Sequence, residues 1–299
     1  MPNQFGEIKE GSIPCTCYFS GLQLVNIYAQ NDTFSEIYDV LTNITSMVQI
    51  IAQQYKLISY IGPLREAPAR KYIFDNEIVD IGIRGENAPY IFATEDYLTK
   101  RANIIYESDK LDIRRMDRSF REQVVMWLKY LGIQNLRLGN NDEIISLHID
   151  NDNIADVGFG VSQALPIIIE GVRLNKDSML ILEQPEIHLH PKMQMRIADF
   201  FIVMALSGKQ LIIETHSDHM INRIVRRIME DERNNLSNLI NIYFVSQQDR
   251  ESMIEKIKID KIKGIISWPE DFFDQYATET ESIIQVGFEN LIKKNTKDR

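Results

Sequence analysis

The stretch Met179-Leu-Ile-Leu-Glu-Gln-Pro-Glu-Ile-His-Leu-His-Pro191 constrains the fold of this chain more than any other. Met179 to Leu182 is a short apolar run, the pattern of a buried strand. Pro185 cannot continue an inner strand, because it has no N–H to give the ladder. Glu183 therefore stands where a strand leaves its sheet, and open α/β sheets bind their ligands at that end. Pro191 suits the first turn of a helix, where its missing N–H is not needed. The expectation is strand, acidic turn, helix. The carboxylates of such a turn either serve a ligand or are simply solvated.

Two further stretches bear on that choice. Gln210-Leu-Ile-Ile-Glu214 is another short apolar strand, and it runs into Thr215-His216-Ser217-Asp218. Met220, Ile221, Ile224, Val225 and Ile228 then follow at helical spacing. Upstream, Asp156-Val-Gly-Phe-Gly-Val-Ser-Gln163 precedes another helix. Gly158 and Gly160 allow close backbone approach, and Ser162 is expected to cap that helix. A glycine-bearing turn at a helix N-terminus suits an anion. Taken singly, the glycines could merely make a turn, Ser162 merely cap, and Gln163 and Gln184 merely sit on the surface.

In this order the stretches resemble the C-terminal half of an ABC-type ATPase: signature motif, Walker B, then histidine switch. The wording GFGVSQxLP, EQPExHLHP and ETHSxH is similar to that of a bacterial ATPase family related to the OLD (overcoming lysogenization defect) and RecF ATPases. Tyr60-Ile-Gly-Pro-Leu-Arg65 and Trp268-Pro-Glu-Asp-Phe-Phe-Asp274 also resemble stretches of its members. The second belongs to members with a small C-terminal domain of unknown function. The resemblance covers roughly residues 57–275.

The resemblance implies an α/β fold, an ABC-type P-loop NTPase-like lobe with a helical insertion and N-terminal β segments. It divides the chain into 1–30, a remnant of an N-terminal β lobe; 31–135, a helical or linker lobe; 136–260, the ATPase lobe; and 261–299, a small C-terminal segment. It also implies residue roles. Glu183 would hold a water on Mg²⁺, and His216 would touch the γ-phosphate of ATP. Gly158, Gly160, Ser162 and Gln163 would face the γ-phosphate of an opposing subunit. The usual catalytic glutamate is here Gln184, which can orient water but takes no proton, so Glu186 is the alternative base. The implied partners are ATP and a second copy, or a different subunit carrying Walker A. Relatives act in DNA repair and phage defence, often beside a nuclease; no TOPRIM or HNH-like cluster is visible here.

One part of that pattern is missing. No GxxxxGK[ST] occurs in the 299 residues. The single Gly-Lys pair, Gly208-Lys209, is followed by Gln210 and sits at a helix end, so it is no phosphate cradle. The sequence looks like the family without its N-terminal lobe: a truncated reading frame, a split subunit, or an excised fragment. ATP binding by the chain alone is expected to be weak, because the P-loop supplies much of the attraction for the phosphates.

Two other readings stay open. One is a non-catalytic subunit that lends its signature face to a partner ATPase. The other is a zinc hydrolase, with His188, His190, His216 and His219 converging on a metal with Glu186.

Composition bounds these readings. The chain is 44% hydrophobic and 25% charged, ordinary globular values. A net charge of −10 and a pI near 5.1 argue against a basic nucleic-acid footprint over the whole surface, though not against a local patch. The two cysteines, Cys15 and Cys17, are too close for an unstrained bridge and read as inert thiols. With no long apolar run and no signal-like N-terminus, the expectation is a cytoplasmic protein away from membranes.

Along the rest of the chain, Cys17–Phe19 and Leu22–Tyr28 read as a hairpin about Ser20-Gly21. Residues 34–55 carry Phe34, Ile37, Leu41, Ile44, Val48, Ile51 and Tyr55 at helical spacing. Arg65 and Arg70 could meet phosphate or pair with carboxylates, and residue type favours the pairing. Residues 95–131 read as charge-rich helix, with Arg114, Arg115, Arg118 and Arg121 on a salt-bridged face. Ser119-Phe-Arg-Glu122 matches a capping box, and Gly132 follows that helix. Turns are expected at 139–142 and 151–153, and a frayed polar tail after Phe288.

Overall fold

The computed structural model describes residues 15–20, 23–29, 43, 46–47, 58–73, 80–95, 100–105, 113–141, 144–233, 235–269, 272–273 and 275–297. The amphipathic stretch 34–55 lies almost wholly outside the described residues. In chain order the elements begin with the hairpin β1 (Cys15–Ser20) and β2 (Gln23–Ala29), which pairs antiparallel as the sequence suggests. Next come β3 (Ile58–Ile61), β4 (Tyr72–Ile73), α1 (Ala88–Thr94), β5 (Lys100–Ile105) and β6 (Ile113–Arg118). Then follow α2 (Phe120–Leu131), β7 (Leu136–Asn141), β8 (Ile144–Ile149), β9 (Asp152–Asn153) and α3 (Phe159–Arg173). The strands β10 (Met179–Glu183) and β11 (Gln210–Glu214) alternate with α4 (Pro191–Leu206) and α5 (Asp218–Glu230). The C-terminal part holds α6 (Asn235–Leu239), β12 (Tyr243–Gln248), β13 (Glu251–Lys256), β14 (Ile259–Asp260), β15 (Gly264–Ile265) and α7 (Gln275–Lys297).

The sheet that matters for function is parallel, in the order β11–β10–β3. Leu180 and Leu182 of β10 and Ile61 of β3 are buried on one face. Helices α2, α3 and α4 bring Trp127, Leu128, Ile167, Ile168, Ile197 and Phe200 into the same core. Trp127 meets Phe200 edge-on at 5.0 Å, an arrangement that aromatic quadrupoles favour. On the other face Ile58, 41% exposed, and Ile212, 50% exposed, are open to solvent. A second, smaller core joins Ile221 and Val225 of α5 to Ile242, Ile257, Ile265 and Phe272 of the C-terminal part.

Three expectations change. Among the described residues of 95–131 only α2 is helical; β5 and β6 form an antiparallel hairpin from Lys100↔Arg118 to Ile105↔Ile113. Interleaved charges fit a solvated hairpin as well as a helix, and apolar residues recur at helical spacing only from Phe120 on. Arg118 does pair with Glu122, at 3.5 Å. Arg121 donates to the carbonyls of Phe92 and Ala93, satisfying acceptors at the end of α1. The capping box at Ser119 and the left-handed Gly132, φ 104°, stand where expected. Gly139 to Asn141 of the expected turn are strand, and Asp142 lies outside the described residues; the missing Cβ of Gly139 leaves room for Ser146 Oγ, which would lie 2.6 Å from such an atom. The tail continues as helix to Lys297, a stretch without glycine or proline after Gly287.

Candidate functional site

Strand β10 ends on Glu183 in register with Glu214 at the end of β11, so two carboxylates sit side by side at the carboxyl edge of the sheet. Tyr60, in register with Ile181 from the other neighbour, donates its hydroxyl to Glu183 Oε1 at 3.0 Å. That hydrogen bond, with lesser contributions from burial and the carboxylate's charge, raises the Tyr60 pKa. One Glu183 oxygen is thus held.

The chain then turns sharply. Gln184 takes φ 44°, a left-handed conformation that costs a side-chain-bearing residue energy unless its surroundings hold it. Arg65 supplies that hold. It is 5% exposed and donates to the carbonyls of Glu183 (3.4 Å), Gln184 (3.1 Å) and Gly62 (3.4 Å). The expected carboxylate partner for Arg65 is replaced by carbonyls, because the turn points its backbone oxygens at the buried guanidinium. Burial pulls its pKa down to about 10, against the opposing charge of Glu186. Arg70 does pair as expected, with both oxygens of Asp156 at 2.5 and 2.9 Å.

The two strand ends are joined by crossed carboxylates. Glu186, from the turn after β10, accepts from Thr215 Oγ1 at 2.8 Å and from the His216 backbone N–H at 2.6 Å. Glu214, from β11, accepts from the Gln184 N–H at 3.2 Å and lies 3.0 Å from His216 Nε2. Gln194 of α4 adds a further tie: it receives the Ser217 hydroxyl at 2.6 Å and donates to Leu189 O at 2.8 Å. Ser217 also caps α5 through the Met220 N–H. Pro191 occupies the first turn of α4, as its chemistry suggests, and His190 caps that helix through Nδ1.

The glycine turn packs against this assembly. A Cβ on Gly160 would come 2.9 Å from His188 O, so the close approach expected there is real; Gly158 has open space around it. Phe159, exposed, lies 5.5 Å from the His188 ring. Gly158, not Ser162, is the N-cap of α3, because the helix starts at Phe159. Ser162 is 7% exposed and donates to Phe159 O at 2.8 Å, while Gln163 is 2% exposed. Ser162 therefore turns inward beneath the turn, Gln163 is buried, and Gly158 to Gly160 form the surface. Gly208-Lys209 closes α4, with Gly208 at φ 84°, and Lys209 donates to Gly171 O.

Of the residues singled out from sequence, Glu183, Gln184, Glu186 and His216 come together. Tyr60, Arg65, Glu214, Thr215 and Gln194 also build the site. Glu214 and Thr215 stood in a motif beside His216, whereas the roles of Tyr60 and Arg65 depend on strand pairing over more than a hundred residues. Among the described residues no group of three or more His, Cys, Asp and Glu side chains is placed to hold a metal ion, and the four histidines of the zinc reading do not converge. Among them, too, no helix is long and apolar enough to cross a membrane.

Comparison with known families gives two matches. Residues 93–221 match the family model described as AAA ATPase domain. Residues 237–283 match the model described as protein of unknown function (DUF3696). No curated protein matches the chain. Among solved structures, one from a study of ATP-driven dimerization and DNA-stimulated activation of SMC ATPases is 14% identical over 48% of this chain and 86% of that one, with a TM-score of 0.36. An Smc head bound to the C-winged helix domain of ScpA is 17% identical over 47% of this chain and 44% of its own, with a TM-score of 0.34. The Smc head domain with an extended coiled coil, bound to the C-terminal domain of ScpA, derives from Pyrococcus furiosus. It is 16% identical over 48% of this chain and 35% of its own, with a TM-score of 0.35.

Proposed function

We propose, for a chain whose residues 93–221 match the AAA ATPase domain model and whose residues 237–283 match the DUF3696 model, that it supplies the signature, acidic and histidine elements of a composite, ABC-type ATP-hydrolysing site. The observation that carries this reading is the joining of the strand ends at Glu183 and Glu214 through Glu186, Thr215 and His216. Catalysis at such a site is positioning and electrostatics.

The residues fit ATP with Mg²⁺. Glu183 is a hard oxygen donor at the end of a central strand, with one oxygen held by Tyr60. The N-terminus of α3 has no acidic side chain in its first turn, which suits a phosphate. Mg²⁺ supplies the charge that neutralises the phosphates. Glu183 would hold its hydration shell, and His216 would contact the γ-phosphate. Glu186 is positioned as proton acceptor, each oxygen keeping a lone pair beyond its present bond. Gln184 orients water. Gly158 and Gly160 present their turn to the nucleotide of an opposing subunit, with Ser162 supporting it from beneath and Gln163 buried. The phosphate cradle must come from elsewhere, since this sequence has no GxxxxGK[ST]: a hetero-partner or a further segment carrying Walker A. The OLD-like and RecF-like resemblance supports a role in DNA repair or phage defence, beside a separate nuclease.

The missing loop also favours a second reading, a non-catalytic subunit lending its signature face. One experiment separates them. The chain is combined with a Walker A half, fused or in trans, and Mg²⁺-dependent ATP hydrolysis is measured. The first reading expects activity that Glu183→Gln abolishes, and that His216→Ala slows while nucleotide binding persists. Hydrolysis unchanged by Glu183→Gln supports the second.

A further inference from the structure

We infer that Glu214 is the positioning residue of His216, selecting which ring nitrogen the histidine offers to a ligand. The functional meaning rests on the ATPase reading above; the pairing itself does not. Glu214 closes β11, where its register with Glu183 fixes its backbone. One carboxylate oxygen is anchored on the Gln184 N–H at 3.2 Å, and the same N–H also reaches Glu214 O at 2.9 Å. The other oxygen lies 3.0 Å from His216 Nε2.

The rest of His216 is fixed by other means. Glu186 holds its backbone N–H, which places the Cα but leaves the ring free to rotate. The side chain is 76% exposed, so packing does not set its orientation either. The Glu214 carboxylate is what remains to do so. A carboxylate accepts and cannot donate when ionised, so the nitrogen facing it must carry the hydrogen. Nε2–H therefore points at Glu214, and Nδ1 becomes the atom available to a ligand. When the ring carries a second proton, Nδ1–H is a donor to a phosphate oxygen, with the imidazolium charge balanced by Glu214. Glu186 sets where the histidine stands, and Glu214 sets which way it acts.

The test uses the isolated chain labelled with ¹⁵N-histidine. The protein has five histidines, so a long-range ¹H–¹⁵N correlation spectrum is simple, and His216→Gln assigns the signal. The spectra are recorded at a pH of about 8.5, above the range in which an ordinary histidine titrates, so that the shifts report the tautomer. The wild-type His216 signal is expected to show two widely separated nitrogen shifts, one protonated and one bare. Glu214→Ala should bring these shifts toward each other as the tautomers mix. Glu214→Gln, which keeps an acceptor oxygen, should retain most of the separation. Glu214→Asp keeps the charge but shortens the reach by one methylene; it should lose the separation and serves if the alanine variant does not fold. Identical His216 shifts in wild type and in the alanine or aspartate variant would overturn the inference. Failure of hydrolysis in the completed site, with the tautomer signature present, would discard the ATPase reading and leave the pairing intact.

Discussion

Glu186 holds the backbone N–H of His216 at 2.6 Å, and its other oxygen receives the Thr215 hydroxyl at 2.8 Å. One side chain from the first strand end thus fixes the backbone of the second. Two substitutions separate this latch from proton transfer. Glu186→Gln keeps an oxygen for the His216 N–H and offers its amide to Thr215 Oγ1, which can accept. Stability in urea should stay near wild type, while hydrolysis by the completed site falls about 10²–10⁴-fold, the usual worth of a positioned base. Glu186→Ala loses both contacts and should also cost about 1–2 kcal/mol of folding stability. A wild-type rate in Glu186→Gln would remove the base assignment and leave Gln184 as the water-orienting group; Gln184→Ala should then be the slower variant.

The nucleotide prediction follows from what the chain lacks. Without the lysine and backbone amides of a P-loop, little in these residues grips the β- and γ-phosphates. Isothermal titration of ATP with Mg²⁺ into the isolated chain should give weak binding and no appreciable turnover. Submicromolar affinity would contradict it.

The parts of this site that were legible in the sequence are those fixed by local chemistry. An apolar run, a proline two residues past Glu183 and Pro191 place β10, its turn and α4 almost to the residue, because each obeys a rule of its own backbone. Ser119 and Gly132 bound α2 for the same reason. Arg65 was not legible in this way: a guanidinium in a glycine- and proline-punctuated loop suggests a carboxylate partner, and only tertiary folding turns the carbonyls of Glu183 and Gln184 toward it. The hairpin at Lys100–Ile105 and Ile113–Arg118 hid behind charges that fit either secondary structure. Ser162 looked like a cap because small polar residues favour helix starts, yet α3 begins three residues earlier, at Phe159.

Helices α4 and α5, which follow the two strand ends, are locked by a buried charge network. Asp199 is fully buried and receives Arg223 at 2.8 Å, Arg227 at 2.8 and 3.2 Å, and the Tyr130 hydroxyl at 2.6 Å. Removing the Asp199 charge takes a buried partner from both arginines, although Arg227 keeps Glu230 at 2.8 Å. Asp199→Asn should therefore cost about 3–5 kcal/mol in a denaturation experiment. Asp199→Asn with near wild-type stability would show that the network carries little of the fold.

The same network sets a pH dependence. Burial, then the Asp199 charge and hydrogen bond, push the Tyr130 pKa up to about 12 from its ordinary 10. The native state then keeps the phenolic proton where the unfolded state has lost it. The contribution is fully present below pH 10 and is lost as pH rises toward 12. Comparing wild type with Tyr130→Phe isolates it: the stability difference should shrink across that window, by on the order of 2 kcal/mol at its end. A difference that is flat with pH would refute the assignment.

A parallel sheet normally has both faces covered, because its strands are apolar on each side. Here one face is packed by α2, α3 and α4, while Ile58 and Ile212 remain 41% and 50% exposed on the other. These two isoleucines flank β10, and Met179 and Ile181 lie between them on the same side of the sheet by register. Under the proposed function, an apolar surface of that kind, beside a site without its phosphate loop, is where the complementary half would dock. Light scattering after size exclusion should show self-association of the isolated chain, relieved when a Walker A half is added. Ile212→Lys should reduce the self-association with little loss of folding stability, since the side chain is already half in water, and it should weaken capture of the added half. A chain that stays monomeric at high concentration, with Ile212→Lys indistinguishable from wild type in both assays, would show that this face needs no partner.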